Sequence, residues 1–401
     1  MTNINEKELA AAALRYHEAN PSGKIGVEIT KSMVDAKDLS LAYSPGVAYP
    51  VLEISKQPDL AYKYTNKNNM IAVITNGTAI LGLGNLGAIA AKPVMEGKAA
   101  LFKHFAGVNA IDLEIDSYDV DEFINIVKHL APSFGGINLE DIKAPDCFVI
   151  EKKLSELLDI PVFHDDQHGT AIVAAAGLVN AIKYANKDIS EVKLVCNGAG
   201  SAGLASLALF EHIGIRHENI ILCDTKGVVY KGRQEGMNEW KQVYASNTEA
   251  RTLGEALVGA DVFYGVSAKG ALTADMVKTM SKSPIIFALA NPDPEMLPSE
   301  IKKVCSDAII ATGRSDYPNQ VNNVLCFPYI FRGALDVKAR HINIEMKVAV
   351  VNALAQLARE NPERDLSPDY IIVSPFDERL AKVIPQAVAK AAIESGVARE
   401  L

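Results

Sequence analysis

Cysteine is scarce, and its spacing suggests no pairing. The 401 residues contain five, Cys147, Cys196, Cys223, Cys305 and Cys326, an odd number with no close neighbours. That excludes a disulfide scaffold and a Cys-ligated zinc site, and the thiols read as buried groups of a reducing compartment. A basic excess is also missing: 40 Lys and Arg stand against 49 Asp and Glu, a net charge of −9. Without a basic face, sequence-independent nucleic-acid binding is excluded. Long apolar runs are missing too. The N-terminus is polar and carries no signal-peptide h-region. One uncharged window, 71–91, is about long enough to cross a bilayer. Asn76, Asn85, Gly77, Gly82, Gly84 and Gly87 break it, which fits a strand, a turn and a helix instead. No internal repeat or low-complexity tract is visible. These absences predict a cytoplasmic protein with neither a membrane segment nor a nucleic-acid partner.

What is present is ordinary for a soluble α/β protein: 49% hydrophobic and 22% charged residues. The length suggests two or three domains. A polar, Ala-rich helix over 6–20 opens the chain. Strand patterns follow at 70–75, 110–115 and 136–141. The intervening segments read as a glycine turn at 81–87, a helix over 88–105 interrupted near Pro93, and a helix over 120–130. A helix over 151–158 leads to a short apolar strand ending at His164. From 192 the alternation is clearer, with strands at 192–196, 219–223, 260–264, 285–290 and 308–312 separated by helices. Helices over 344–359 and 380–397 close the chain. Such alternation predicts a parallel sheet wrapped by helices.

Two stretches match G-x-G-x-x-G, at Gly82-Leu-Gly84-Asn-Leu-Gly87 and at Gly198-Ala199-Gly200-Ser201-Ala202-Gly203. Only the second follows a strand, opens a helix, and precedes a strand ending in an acid, Asp224, about twenty residues on. Its glycines would let the backbone approach a pyrophosphate at a helix N-terminus. The first has no such partner and suits a structural or substrate-side turn. Asp224 suits a free ribose 2′-hydroxyl, hence NAD. Thr225, Lys226, Lys231 and Arg233 follow it and suit a 2′-phosphate, hence NADP. Both cofactors stay open.

The stretch Pro-Val-Phe-His164-Asp165-Asp166-Gln-His168-Gly169-Thr170 delivers two adjacent carboxylates at a strand end. One Asp would serve as a helix N-cap. Two, flanked by histidines, suit a metal or a catalytic role. Glu140 and Asp141 form a second acidic pair at a strand end. Either they are a solvated turn or, with an Asp of the 165–166 pair, they hold a hard divalent cation such as Mg²⁺ or Mn²⁺. Tyr43, before Ser-Pro-Gly, and Lys98 carry no pattern that singles them out.

Ala-Tyr43-Ser-Pro-Gly, Leu-Gly-Leu-Gly-Asn85-Leu-Gly, Glu-Gly-Lys98, Asn138-Leu-Glu140-Asp141, Phe-His-Asp165-Asp166-Gln-His-Gly-Thr, Gly-Ala-Gly-Ser-Ala-Gly and Ala-Asn291-Pro occur in the order of the malic enzymes. The chain resembles the short microbial form of that family over nearly all its length. The resemblance implies an N-terminal α/β substrate and catalytic domain, 1–164. A Rossmann-type parallel-sheet dinucleotide-binding domain with closing helices, 165–401, would follow. It implies oxidative decarboxylation of L-malate to pyruvate and CO₂ with NAD or NADP and Mg²⁺ or Mn²⁺, in a homodimer. By position it assigns Tyr43 as proton donor, Lys98 as catalytic and substrate-contacting lysine, and Asp165 as the acid beside that lysine. Glu140, Asp141 and Asp166 become metal ligands. Asn291 and either Asn322 or Asn323 become substrate contacts. Two positions depart from the pattern: Ala79 stands where larger members carry an Arg that grips the substrate carboxylate, and Asn85 stands where Asp is usual. The lysine would act as base once burial and the nearby cation lower its pKa. Rival readings are a metal-independent amino-acid dehydrogenase, a metal phosphohydrolase built on His164-Asp165, and a non-catalytic dinucleotide sensor.

Overall fold

Two parallel sheets organise the chain, which a computed structural model describes over residues 6–399. The first contains β1 (Met70–Thr75), β2 (Asn109–Glu114), β3 (Gly136–Leu139) and β4 (Val162–His164), in the order β2-β1-β3-β4. The sequence Met-Ile-Ala-Val-Ile-Thr is apolar almost throughout, as a central parallel strand covered on both faces requires, and β1 is buried from Ile71 onward. Helices Ala88–Ala106, Val120–Leu130 and Asp146–Leu157 make the crossovers. The first of these buries Ala91, Met95, Ala99 and Phe102, one stripe at helical spacing.

Pro93 does not interrupt that helix, contrary to the sequence expectation; it sits inside an unbroken span. The missing N–H costs about 3 kcal/mol, which the buried stripe offsets. Lys24 Nζ also donates to the Pro93 carbonyl at 2.7 Å.

The second sheet has six strands: β5 (Leu194–Asn197), β6 (Ile220–Asp224), β7 (Gly227–Val228), β8 (Val262–Gly265), β9 (Ile285–Ala288) and β10 (Ile309–Thr312). Their order is β10-β9-β8-β5-β6-β7. All pairings are parallel except β6 with β7. The two-residue β7 was too short to read from sequence. Strand order reverses beside β5, and in open α/β sheets ligands bind at the carboxyl ends of strands at such a point.

Helix Asp165–Tyr184 links the sheets. It starts directly after β4, and its Ala-rich body, Ala171–Ala176, is fully covered. The C-terminal helices serve both sheets. In helix Phe327–Asp336 the rings of Phe327 and Phe331 meet Phe102 edge-on at 4.9 and 5.4 Å between centroids. A continuous core therefore joins residues of β1, the linking helix and β5.

The glycine turn after β5 leaves no room for side chains. A Cβ on Gly203 would lie 1.9 Å from the Gly198 carbonyl oxygen, and one on Gly198, at φ +127°, would lie 2.4 Å from that of Val266. Gly203→Ala is expected to destabilise the protein by about 1–3 kcal/mol through overpacking, read as a lowered Tm in thermal unfolding.

The N-terminal segment behaves differently. Helix Glu6–Glu18 is followed by contacts of Lys24 with Pro93 and Glu96. Beyond these, helices Ala36–Ala42 and Ala48–Lys56 bury none of their residues. Val27 is 98% exposed, Val34 87% and Tyr49 73%. The described residues leave these apolar side chains of the arm largely uncovered. Among the described residues no helix is long and apolar enough to cross a membrane. The cysteines are unpaired, and all but Cys305 are buried.

Candidate active site

The carboxyl ends of β1, β3 and β4 face the carboxyl ends of β5, β8, β9 and β10 across a cleft of about 900 Å³. Lys98, Glu140, Asp141 and Asp166 line one side; Ser201, Ala202, Asn291, Asn322 and Asn323 line the other. The first glycine turn contributes Leu81, Gly82 and Leu83, so it belongs to the cleft wall.

Lys98 reaches the cleft from helix Ala88–Ala106. Its Nζ lies 2.6 Å from Asp165 Oδ2 and 2.9 Å from Glu140 Oε1, and 4.2 Å from the centre of the Phe327 ring. Burial alone would lower its pKa. The carboxylates of Asp165, Glu140 and Asp166 outweigh that and hold it well above the lysine range. The lowering expected from sequence therefore does not come from the protein's own groups. The acids carry the complementary cost. Burial, then repulsion from Asp166, pushes Asp141 up to about 7. Glu140 and Asp165 are raised by burial as well, with Lys98 opposing.

Glu140, Asp141 and Asp166 each turn an oxygen into one volume, the three atoms lying within 4.8 Å of one another. Asp141 sits at φ +53°, in the left-handed region that few residues other than Gly, Asn and Asp adopt. Its N–H donates to Asp166 Oδ2 at 2.8 Å, and its carbonyl accepts from Ala79 N at 3.0 Å. Asn138, two residues before Glu140 and on the same face of the strand, donates Nδ2 to Glu140 Oε2 at 2.8 Å. Asp141 Oδ2 is buried without a hydrogen-bond partner. Three hard oxygen donors, one of them an orphan acceptor, fit a divalent cation such as Mg²⁺ or Mn²⁺. Asn138→Ala is expected to weaken Mn²⁺ binding by about 10–100-fold by freeing the Glu140 carboxylate, measurable by calorimetric titration.

The asparagine doublet divides. Asn323 donates to Asp165 Oδ2 at 3.1 Å and accepts from Thr170 at 3.0 Å, so it braces Asp165. Asn322 spends only Oδ1, on the N–H of Val324, and among the described residues its amide NH₂ has no partner. Asn291 stands at the cleft edge, its backbone carbonyl beside Gly82. The dinucleotide turn, Gly198 to Gly203, opens helix Ser201–His212. A Cβ on Gly200 would meet nothing within 4 Å, leaving the backbone open to a phosphate there. Asp224 ends β6, with Thr225 and Lys226 in the turn that follows.

Tyr43 is not brought to this cleft. It caps helix Ala36–Ala42 on the exposed arm, 71% accessible, and is not among the residues lining the cleft. Sequence reasoning missed Phe327, which bears no motif, and the bracing role of Asn323. It quoted Asn138 without a role, although period-two spacing from Glu140 was a usable signal.

A doubly sheeted α/β protein is thus defined, with a dinucleotide-type turn facing a carboxylate–lysine cluster. Residues 22–119 and 117–155 match the model of the malic enzyme N-terminal domain, and 167–393 that of the malic enzyme NAD binding domain. The chain belongs to the malic enzyme family. It is 62% identical to an NADP-dependent malic enzyme of Rhizobium meliloti, over 100% of this chain and 54% of that protein. It is 54% identical to an NADP-dependent malic enzyme of Halomonas elongata, over 97% of this chain and 94% of that one. The crystal structure of malic enzyme from Pyrococcus horikoshii superposes with a TM-score of 0.93 at 44% identity, covering 98% of this chain and 92% of that one. The chain spans about half the length of the first curated relatives it matches.

Proposed function

We propose that the chain catalyses oxidative decarboxylation of L-malate to pyruvate and CO₂ with reduction of NAD⁺ or NADP⁺, dependent on Mg²⁺ or Mn²⁺. The observation that carries this reading is Lys98, bonded to Asp165 and Glu140 at the edge of a three-carboxylate cluster that faces the dinucleotide turn. Glu140, Asp141 and Asp166 would hold the cation, which when bound supplies Lewis-acid polarisation of the substrate's C2 oxygen and adjacent carboxylate. The nicotinamide, when bound, supplies the acceptor for the C2 hydride.

The chain's own residues do the rest. Lys98 and Asp165 are 2.6 Å apart, and Asp165 is fully buried. The surrounding carboxylates hold the shared proton on Lys98. A cation held by Glu140, Asp141 and Asp166 would offset them, letting Lys98 pass its proton to Asp165 and stand as the neutral amine that takes the C2 hydroxyl proton. Asn323 holds Asp165 in place for that exchange. Asn291 and Asn322 offer amides to the substrate carboxylates, work an Arg at position 79 would otherwise share. Loss of CO₂ leaves enolpyruvate, and Tyr43 donates the proton to its C3, regaining one from Lys98.

Tyr43 can do this only from a second copy or after the arm moves. We propose a homodimer in which the uncovered apolar arm packs on a partner and carries Tyr43 to the partner's cleft. The exposure of Val27, Val34 and Tyr49 on the same arm supports it. Exposed apolar surface of this extent marks an interface. The units proposed are 1–164 and 165–401. Cytoplasmic residence is proposed on the unpaired buried thiols.

Product analysis tests the reaction. Pyruvate and CO₂ should appear in equal amounts with reduced nicotinamide; oxaloacetate accumulating in place of pyruvate would reduce the activity to simple dehydrogenation.

A further inference from the structure

The loop after β9 buries an acid for which the reaction has no use. Glu295 is fully buried. Among the described residues no lysine, arginine or histidine is ion-paired with it. Lys269 and Arg314, on neighbouring loops, go to Asp293 instead, at 3.0 and 3.6 Å. The partners of Glu295 are neutral donors. Oε1 accepts from the N–H of Ser267 at 2.8 Å and from the Ser267 hydroxyl at 2.9 Å. Oε2 accepts from the N–H of Ala290 at 3.1 Å. The Ser267 hydroxyl in turn accepts from Asn197 Nδ2 at 2.9 Å.

The end of β8 is bare where this carboxyl enters. A Cβ on Gly265, the last residue of β8, would lie 2.6 Å from Glu295 Cδ. Burying an acid without a cation is costly, and an apolar side chain would fill such a space at less cost. What the carboxyl provides is connection, because its two oxygens tie three strand ends together. Asn197 ends β5, Ser267 lies just past β8, and Ala290 lies between β9 and Asn291.

Those ends lie to one side of the dinucleotide turn. Asp224 ends β6 on the other side, where the adenosine half belongs, and the pyrophosphate belongs at the turn after β5. The nicotinamide half then crosses toward β8 and β9. Val266, Ser267, Leu289 and Ala290 line the cleft there, beside Asn291. The same loop bears on the turn itself, since the Val266 carbonyl is what a Cβ on Gly198 would strike. One carboxyl therefore fixes both the wall beside the nicotinamide and the segment that presents Asn291.

We propose that Glu295 is a positioning residue of the nicotinamide half-site, holding the loops after β8 and β9 at the spacing that sets the nicotinamide beside Asn291. It touches neither substrate nor cofactor and acts through Ser267 and Ala290. The inference rests on the dinucleotide-dependent reading above and adds which buried group shapes the reacting half of that site.

The test is binding, not turnover. Calorimetric titration of the full chain compares each reduced dinucleotide with its adenine half, NADH with 5′-ADP and NADPH with 2′,5′-ADP. Glu295→Gln keeps the volume but turns an NH₂ toward a backbone N–H, so one tie is lost. The tighter dinucleotide should then bind about tenfold more weakly, while its adenine half binds as in the parent. Ser267→Ala removes the hydroxyl, keeps the backbone bond to Glu295, and decides the matter if the Glu295 variant does not fold. It should weaken the dinucleotide about threefold and again spare the adenine half. A general loosening of the fold would not separate the two ligands. Dinucleotide and adenine half weakened alike, or neither changed, would overturn the assignment. A parent chain that binds a dinucleotide no better than its adenine half, or binds neither, would instead overturn the dinucleotide reading, and this inference with it.

Discussion

Lys98→Ala is expected to lower kcat for malate oxidation by about 10²–10⁴-fold, the range of a positioned acid–base group. Among the described residues Lys98 is the one cation paired with both Asp165 and Glu140, and no second lysine or arginine is paired with either. Removing it strips the base assigned to the C2 hydroxyl proton. It also leaves buried carboxylates unpaired, so some stability goes with it; protonation of Asp165, already raised by burial, absorbs part of that loss. Steady-state kinetics alone would mix the two effects. The variant should still bind reduced dinucleotide, because Gly198–Gly203 and Asp224 lie on the other sheet. Retained binding with lost turnover isolates the chemical role. Turnover at the parent rate would remove Lys98 from the mechanism.

The second large effect is a recovery. Tyr43→Phe and Lys98→Ala proteins should each be nearly inactive as homodimers. Mixed and allowed to exchange subunits, they should regain roughly one quarter of the parent activity, since random pairing makes about half heterodimers with one intact site each. That result requires Tyr43 and Lys98 of one site to come from different copies. If the arm instead folded back on its own chain, no heterodimer would contain an intact site and the mixture would stay inactive. The 71% exposure of Tyr43, against the near-complete burial of Asp165, favours recovery.

Much of this molecule was legible before its structure. Apolar runs such as Ile71–Ile74 and Leu194–Cys196 gave central strands because they are short, rich in β-branched residues and apolar at every position, as a strand covered on both faces requires. The turn at Gly198–Gly203 stood out because its context, strand before and helix after, is local. What failed was nonlocal. Pro93 read as a break because the propensity argument ignores the buried stripe that outweighs one lost hydrogen bond. Asp224 read as a choice between cofactors without its partner Arg233, which folds back from a loop whose course no periodicity encodes. Lys98 and Phe327 lie on different helices far apart in sequence, and only packing of the C-terminal helices against the first sheet joins them. Tyr43 is the extreme case: motif order places it in the site, while the fold of one chain leaves it outside.

The most direct measurement is absorbance at 340 nm with L-malate and either nicotinamide cofactor, run with Mn²⁺ and again after chelation with EDTA. For both the parent chain and Asp166→Asn the same traces are recorded. A rise in the parent that EDTA abolishes, and that Asp166→Asn loses at Mn²⁺ levels saturating the parent, is the predicted outcome. A rise that survives EDTA, or that Asp166→Asn retains in full, would contradict a reaction organised by Glu140, Asp141 and Asp166 around one divalent ion.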